Sequence, residues 1–431
     1  MLPKNHPRLL NAWSSYDWAN SVYNLIVTTA IFPIYYSSAT KAAFDGEIVD
    51  FFGIQVKNSV LYTYAISVSF LIIVFLSPVL SGIADYSGRK KRFMQFFTYL
   101  GSLACIGLYF FNGSNVEYGI ICAILASVGY AGSLVFYNGF LPEVATGDIM
   151  DRVSARGFSM GYLGSVILLV INLVLILNSE KIGFSGEGSA TKFGFLLVGI
   201  WWLGFAQIGF YYLEDRPTGQ KIDRSVLGKG FAEIRKVFAW IRTRKVMERY
   251  LFSFFFYSMG VQTVMLLAPL FGEAEVGMES DEMIIVVLVL QILAIAGAYS
   301  TAWVSGKYGN RFAISASLVL WVGICISGYF LSDKIAFYSL AAVLGFVMGG
   351  IQSISRSTWS KLIPEQTGET ASFFSFYDIT EKIAIVLGTF SYGFIEQITG
   401  SMRNSMIGMS VFFIAGFIVL QTSGLNLGKD R

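Results

Sequence analysis

Apolar residues in this chain come in long blocks rather than in short alternations. Runs of twenty or so mostly apolar residues recur from end to end, parted by short polar stretches. A helix rising 1.5 Å per residue needs about 20 residues to cross a hydrocarbon core about 30 Å thick. The blocks therefore predict twelve spans, over 12–37, 58–83, 93–112, 117–140, 157–178, 190–213, 247–271, 281–304, 312–331, 335–357, 372–397 and 404–425. Backbone in lipid must pair its polar groups internally, so the expected class is an all-α membrane protein. One sizeable polar segment divides the spans six and six. The expected organisation is an N-terminal six-helix bundle over 1–213, a linker over 214–246 and a C-terminal six-helix bundle over 247–431. Inside the linker, Leu227, Phe231, Ile234, Phe238 and Ile241 recur at helical spacing with basic residues between them. That pattern predicts an amphipathic helix on the inner membrane surface.

Composition removes whole classes. Of 431 residues, 55% are hydrophobic and 14% charged, against about 25% charged in a soluble domain. The formal net charge of +3 gives no reason to expect nucleic acid as a partner. Lys and Arg gather in the loops on the side of the termini and the linker, so both termini are expected to be cytoplasmic. The first apolar run is too long for a signal-peptide core and is read as a retained span. His6 is the only histidine, and Cys105, Cys122 and Cys325 all sit in apolar runs without CxxC spacing. No metal site, no cofactor and no histidine-based catalysis are expected. No GxxxxGK[ST] loop is present, which argues against ATP-driven transport by this chain alone.

Two landmarks repeat. "GIADYSGRKKR" follows span 2 and "VSGKYGNRF" follows span 8; "LPEVATGD" follows span 4 and "IPEQTGE" follows span 10. Gly88 then matches Gly309 and Pro142 matches Pro364, with offsets of about 221 and 222 residues. A shared offset that returns equivalent loops to the same face marks parallel repeats, whereas inverted repeats would put them on opposite faces.

The first landmark resembles the cytoplasmic loop motif of the major facilitator superfamily, through Gly82, Asp85, Gly88, Arg89 and Lys90. "YDWANSVY", "LPEVATGDIMDRVSARGFSMGYLG" and "GGIQSISRSTWSKLIP" narrow the resemblance to the vacuole-effluxer family, related to the autophagy-linked vacuolar amino-acid exporter. It covers nearly the whole chain. It implies the major facilitator fold, a cytoplasmic gate at the loop motif, and secondary transport of a small solute, with amino acids the leading substrate. It also implies a bacterial inner membrane, a monomer, and no enzymatic activity. The chain departs from the family pattern at Met259, and at Ser305 and Gly306, where acids are common. This weighs against a proton or cation site built on those acids.

A charge near the bilayer centre costs about 2.5–3.5 kcal/mol on insertion scales, so polar groups inside spans need partners or a wet path. Span 1 carries Asp17, Asn20, Ser21, Asn24 and Thr28 near one helical stripe, expected to line a central chamber. Span 11 carries Tyr377, Asp378, Glu381 and Lys382, with Asp378 and Lys382 four residues apart on one face. Span 10 adds Gln352 and Arg356; Asn138 and Gln262 are single amides in spans 4 and 7. Both signs of charge suit a small zwitterion, and a carboxylate in the chamber suits proton coupling. The competing expectation is an exporter or flippase of amphipathic compounds on the same fold.

Overall fold

Long helices joined by short turns make up the computed structural model, which describes residues 2–220, 226–365 and 367–427. The helices are α1 (Pro7–Val22), α2 (Phe32–Phe44), α3 (Asn58–Ser87), α4 (Lys90–Gly107), α5 (Val116–Gly139), α6 (Leu141–Val144), α7 (Met150–Leu177) and α8 (Ser179–Ile182). They continue with α9 (Glu187–Tyr212), α10 (Val226–Thr243), α11 (Lys245–Val276), α12 (Ser280–Tyr308), α13 (Asn310–Tyr329), α14 (Lys334–Leu362), α15 (Thr370–Thr399) and α16 (Met402–Thr422). Ten helices among the described residues are long and apolar enough to cross a membrane. The first expected span and α15 are not among these ten. They are the two segments in which the sequence places the most polar groups.

The first span is not one helix. A π-helical turn, Tyr23–Ala30, separates α1 from α2, and Ile31 donates its N–H to Ile26 O five residues back, at 2.9 Å. Pro33 has no N–H with which to continue the α-helical ladder, and the turn ahead of it widens. The expected polar stripe breaks there. Asp17 and Asn20 on α1 are buried, Ser21 is half-buried, and Asn24 in the π turn is exposed.

The connection after α2 folds into a hairpin that apolar blocks do not announce: β1 (Ile48–Phe51) pairs antiparallel with β2 (Ile54–Lys57), Val49 opposite Val56. Phe52 and Gly53 both take positive φ, the geometry of a two-residue hairpin turn. Glu47 at its base pairs with Lys57 at 2.9 Å and Lys41 at 3.0 Å, and these bonds hold its carboxyl down at about 2.

The helices gather into two compact units. The first holds Met1–Leu2, His6–Asn138 and Met160–Gly230; the second holds Pro3–Asn5, Gly139–Ser159 and Phe231–Arg431. In the first unit α9 packs against both α1 and α4. Trp13 stacks on Tyr137 at 4.6 Å, and Tyr16 lies 4.8 Å from the same ring. Gly161 of α7 meets Ser21 and the Asp17 backbone so closely that a Cβ there would collide. At the end of α3, Gly88 takes φ +66°, and a side chain would strike the carbonyl of Arg216. The chain after α9 is laid along this turn: Arg216 N–H donates to Gly88 O at 2.9 Å, and Asp215 accepts from Lys91 N–H at 2.7 Å.

In the second unit α12 and α14 form the tightest pair, with Gly345 against the Leu290 backbone and Gly349 against that of Ala294. The amphipathic helix expected in the linker is α10. It buries Val237 and Ile241 but leaves Phe231 and Phe238 exposed, with Phe238 stacked on Phe376 at 5.9 Å; the side chain of Leu227 lies outside the described residues. Lys236 is held between Glu233, at 3.7 Å, and Glu369. The hydrogen bond to Glu369 pushes its ammonium pKa up.

The α12–α14 seam yields a stability prediction. Gly349→Val has to push two backbones apart, at about 1–3 kcal/mol for overpacking, and is expected to lower the thermal midpoint in detergent. Gly204→Ala, where nothing lies within 4 Å, is expected to leave the midpoint unchanged or raise it. Equal midpoints for Gly349→Val and the parent would show that the seam is not closely packed.

Candidate functional site

Three charged side chains of α15 come together inside the second unit. Lys382 Nζ lies 3.6 Å from Asp378 Oδ1 and 3.6 Å from Glu381 Oε2. The i, i+4 spacing carries Asp378 and Lys382 to one face, and both side chains are only 10% exposed. Gln262 of α11 donates its Nε2 to Glu381 Oε1 at 2.8 Å. Asp378 Oδ2 is buried and has no hydrogen-bond partner among the described residues. Tyr377 stacks on Phe254 at 4.0 Å, closing one side with aromatic rings. On α14, Gln352 is half-buried, with its Nε2 3.6 Å from Met265 Sδ.

Charge counting defines what this cluster can do. Two carboxylates share one ammonium, so with all three groups ionised the cluster carries one unbalanced negative charge. A buried carboxylate oxygen without a donor is unfavourable by about 1–3 kcal/mol or more. A cation at the open oxygen, whether a proton or a ligand ammonium, would offset that charge.

Asp17 lies in the first unit. Tyr137 donates its hydroxyl to Asp17 Oδ2 at 2.8 Å, and Trp13 donates its indole N–H to Tyr137 O at 3.1 Å. Asn20 is fully buried, and its Nδ2 has no hydrogen-bond partner among the described residues. Asn138 is half-buried on α5. Of the loop-motif residues, Gly82, Asp85 and Lys90 are buried. Gly82 touches the Gly230 backbone of α10.

A further polar network was not singled out by the sequence. The stretch 139–159, made of α6, a turn and the first ten residues of α7, belongs to the second unit. Asp151 in this connector pairs with Lys361 of α14 at 2.6 Å. Its two oxygens also accept from Ser305 Oγ at 2.8 Å and Asn310 Nδ2 at 3.1 Å. Asn310 in turn donates to Thr358 and accepts from Lys361. One turn along α7, Ser154 donates to Ser353 O at 2.8 Å and accepts from Arg356 Nε at 3.0 Å; the guanidinium lies 4.1 Å over the Phe158 ring. Arg356 is thus held against the connector. Ser305, where the sequence departs from the expected acid, thus lies against the carboxylate of Asp151. The signal lay in the quoted stretch "LPEVATGDIMDRVSARG", and Asn310 follows the landmark Gly309, but nothing in the sequence joined them.

A family model described as vacuole effluxer Atg22 like matches residues 5–430. The chain belongs to this family. Among its relatives, an uncharacterized MFS-type transporter of Bacillus subtilis, YxiO, is 30% identical over 95% of this chain and 93% of its own length. Autophagy-related protein 22 of Saccharomyces cerevisiae is 23% identical over 87% of this chain and 80% of its own length. The chain shares its fold with solved structures. It matches the major facilitator transporter FucP in the outward conformation with TM-score 0.71 at 12% identity, over 98% of this chain and 99% of that one. It matches the human organic anion transporter MFSD10 with TM-score 0.74 at 13% identity, over 97% and 100%. The Atg22-like chain is therefore an integral membrane transporter of the major facilitator fold, and it acts on a small molecule rather than as an enzyme.

The connector network is testable through its buried ion pair. Removing one partner of such a pair strands the other, at about 3–5 kcal/mol. Asp151→Asn and Lys361→Met are each expected to lower the thermal midpoint clearly. The double variant is expected to recover much of the loss, giving a large coupling in a double-mutant cycle. Additive losses would show that the two side chains do not act as a pair.

Proposed function

We propose that this transporter moves a small zwitterion, an amino acid in the first instance, by alternating access with a proton as the coupling ion. The observation that carries the reading is the Asp378, Glu381 and Lys382 cluster with its open carboxylate oxygen. A zwitterion finds a partner in it for each of its two charges. The substrate ammonium goes to Asp378 Oδ2, and the substrate carboxylate draws Lys382 away from bonds that are already long at 3.6 Å. Gln262 keeps Glu381 in place while this happens. In the absence of substrate a proton supplies the missing positive charge; the substrate ammonium displaces it, which links solute to proton. Because the zwitterion is neutral overall, the cluster keeps one negative charge when substrate is bound.

Asp17, Asn20, Asn24 and Asn138 form the second set of candidate groups, on the first unit. Asn20 carries the strongest motive among them, because its unpaired Nδ2 is a donor suited to a carboxylate. The connector serves as a latch in this scheme. It is continuous in chain with α5 and α7, and its grip through Asp151, Ser154 and Arg356 is broken and remade in each cycle. With the termini cytoplasmic, the loop motif around Gly88 and the connector lie on the inner side.

Uptake into liposomes reconstituted with purified protein tests the reading. Lys382→Ala is expected to insert normally and to abolish uptake of amino acids. Asp378→Asn is expected to lower uptake about tenfold or more, the weight of one charge-assisted hydrogen bond, and to remove its response to an imposed pH gradient. Parental uptake by Lys382→Ala would take α15 out of the site. Competition by hydrophobic cations but not by free amino acids would replace the zwitterion with an amphipathic substrate.

A further inference from the structure

A separate cavity of about 490 Å³ opens where α12 ends, α13 begins and the chain leaves α16. Its lining includes Lys307, Tyr308, Arg311, Phe312, Gln421 and Asn426, and no carboxylate among the described residues. Lys307 Nζ lies 5.5 Å from the Trp303 ring centre and 5.2 Å from that of Tyr308. It forms no ion pair among the described residues. Arg311 is oriented but not neutralised: its Nε and Nη2 donate to Gln421 Oε1 at 3.1 and 2.8 Å, and Nη2 also donates to Gln421 O at 2.7 Å. Gln421 is itself fixed, donating to Ser315 Oγ at 2.8 Å. Two positive charges thus face a hollow whose fixed partners among the described residues are all neutral. Arg311 is pre-set by an amide clamp, which lowers the ordering cost of binding an anion.

The surroundings specify the kind of anion. Trp303, Tyr308 and Phe312 are 64%, 48% and 52% exposed around the same corner. Exposed aromatics beside Lys and Arg at the ends of spans mark the depth of lipid headgroups. We propose that this cavity is a binding site for a phosphate-bearing anion, with the headgroup of an anionic phospholipid as its source. The guanidinium edge and the Lys307 ammonium hold the phosphate oxygens, and the aromatic rim takes the start of the acyl chains. The site lies apart from the α15 cluster and does not depend on the transport reading.

Binding to the purified full chain, read by native mass spectrometry and by thermal shift, tests the proposal. Dihexanoyl phosphatidylglycerol is expected to bind and stabilise the parent, while dihexanoyl phosphatidylcholine at equal concentration is not. Lys307→Gln is expected to weaken phosphatidylglycerol binding about fivefold, the weight of one lysine beside an anionic headgroup. A Lys181→Gln control is expected to bind as the parent does. Excess inorganic phosphate that displaces the lipid probe and itself stabilises the protein would assign the site to free phosphate compounds. Failure of phosphate to compete assigns it to the lipid. Equal binding of the two lipids by the parent overturns the proposal without recourse to any variant. Undiminished phosphatidylglycerol binding by a folded Lys307→Gln overturns it as well.

Discussion

Charge has to be balanced where water is scarce, and two buried ionic clusters of the second unit answer that constraint in opposite ways. Asp151 and Lys361 match one for one at 2.6 Å, and both carboxylate oxygens have further donors in Ser305 and Asn310. Such a closed network rigidifies. At α15, two carboxylates share one ammonium at 3.6 Å, and one oxygen has no donor among the described residues. Similar residue types therefore serve two ends. One cluster holds chain to chain, and the other leaves a carboxylate oxygen open.

The helices around these clusters approach closely where side chains are missing. Lipid gives no hydrophobic drive for helices to associate, so close backbone approach has to supply the attraction. Gly345 and Gly349 bring α14 onto α12, and Gly388 brings α15 onto α11, where a Cβ would strike Thr263 and the Met259 carbonyl. Gly388 lies less than two turns beyond Lys382 on α15. Close backbone contact there fixes the height of the charged cluster against Gln262. The packing and the chemistry of the site are thus one arrangement, with the donor to Glu381 placed by the same helix pair that the glycine closes.

Legibility followed the range of the interactions. The long helices could be read because a membrane imposes one length and one composition on each. The α15 cluster could be read because its members are neighbours on one helix turn. The π turn at Tyr23–Ala30 was hidden, since Pro33 sits in an unbroken apolar block and hydropathy is blind to a missing N–H. The hairpin was hidden because strands of four residues leave too short a pattern. The connector network was hidden for another reason: Asp151 meets Ser305, Asn310 and Lys361 across 154, 159 and 210 residues of chain. No local spacing encodes such a meeting. Arg356 shows the same limit. Its Nε and Nη2 donate to Ser154, 202 residues away, a partner that its place beside Gln352 did not announce.

A transport site has to bind well enough to select and loosely enough to release, and the geometry of each cluster can be judged by that standard. A fully satisfied network offers a solute nothing, because every new bond has to replace one of equal strength. A bare charge offers too much, because its desolvation is unfavourable before the solute arrives and its bond is hard to break afterwards. The α15 cluster lies between these limits. Lys382 keeps Asp378 and Glu381 tolerable in a buried place, the 3.6 Å separations keep that compensation incomplete, and the open oxygen marks where the remainder is made up. At that oxygen a proton and an ammonium carry the same charge, whereas the carboxylate that a zwitterion also brings adds one negative charge, which falls to Lys382. On the proposed reading that charge is the electrostatic work of the exchange, and Lys382, held by two long contacts, is the group placed to meet it.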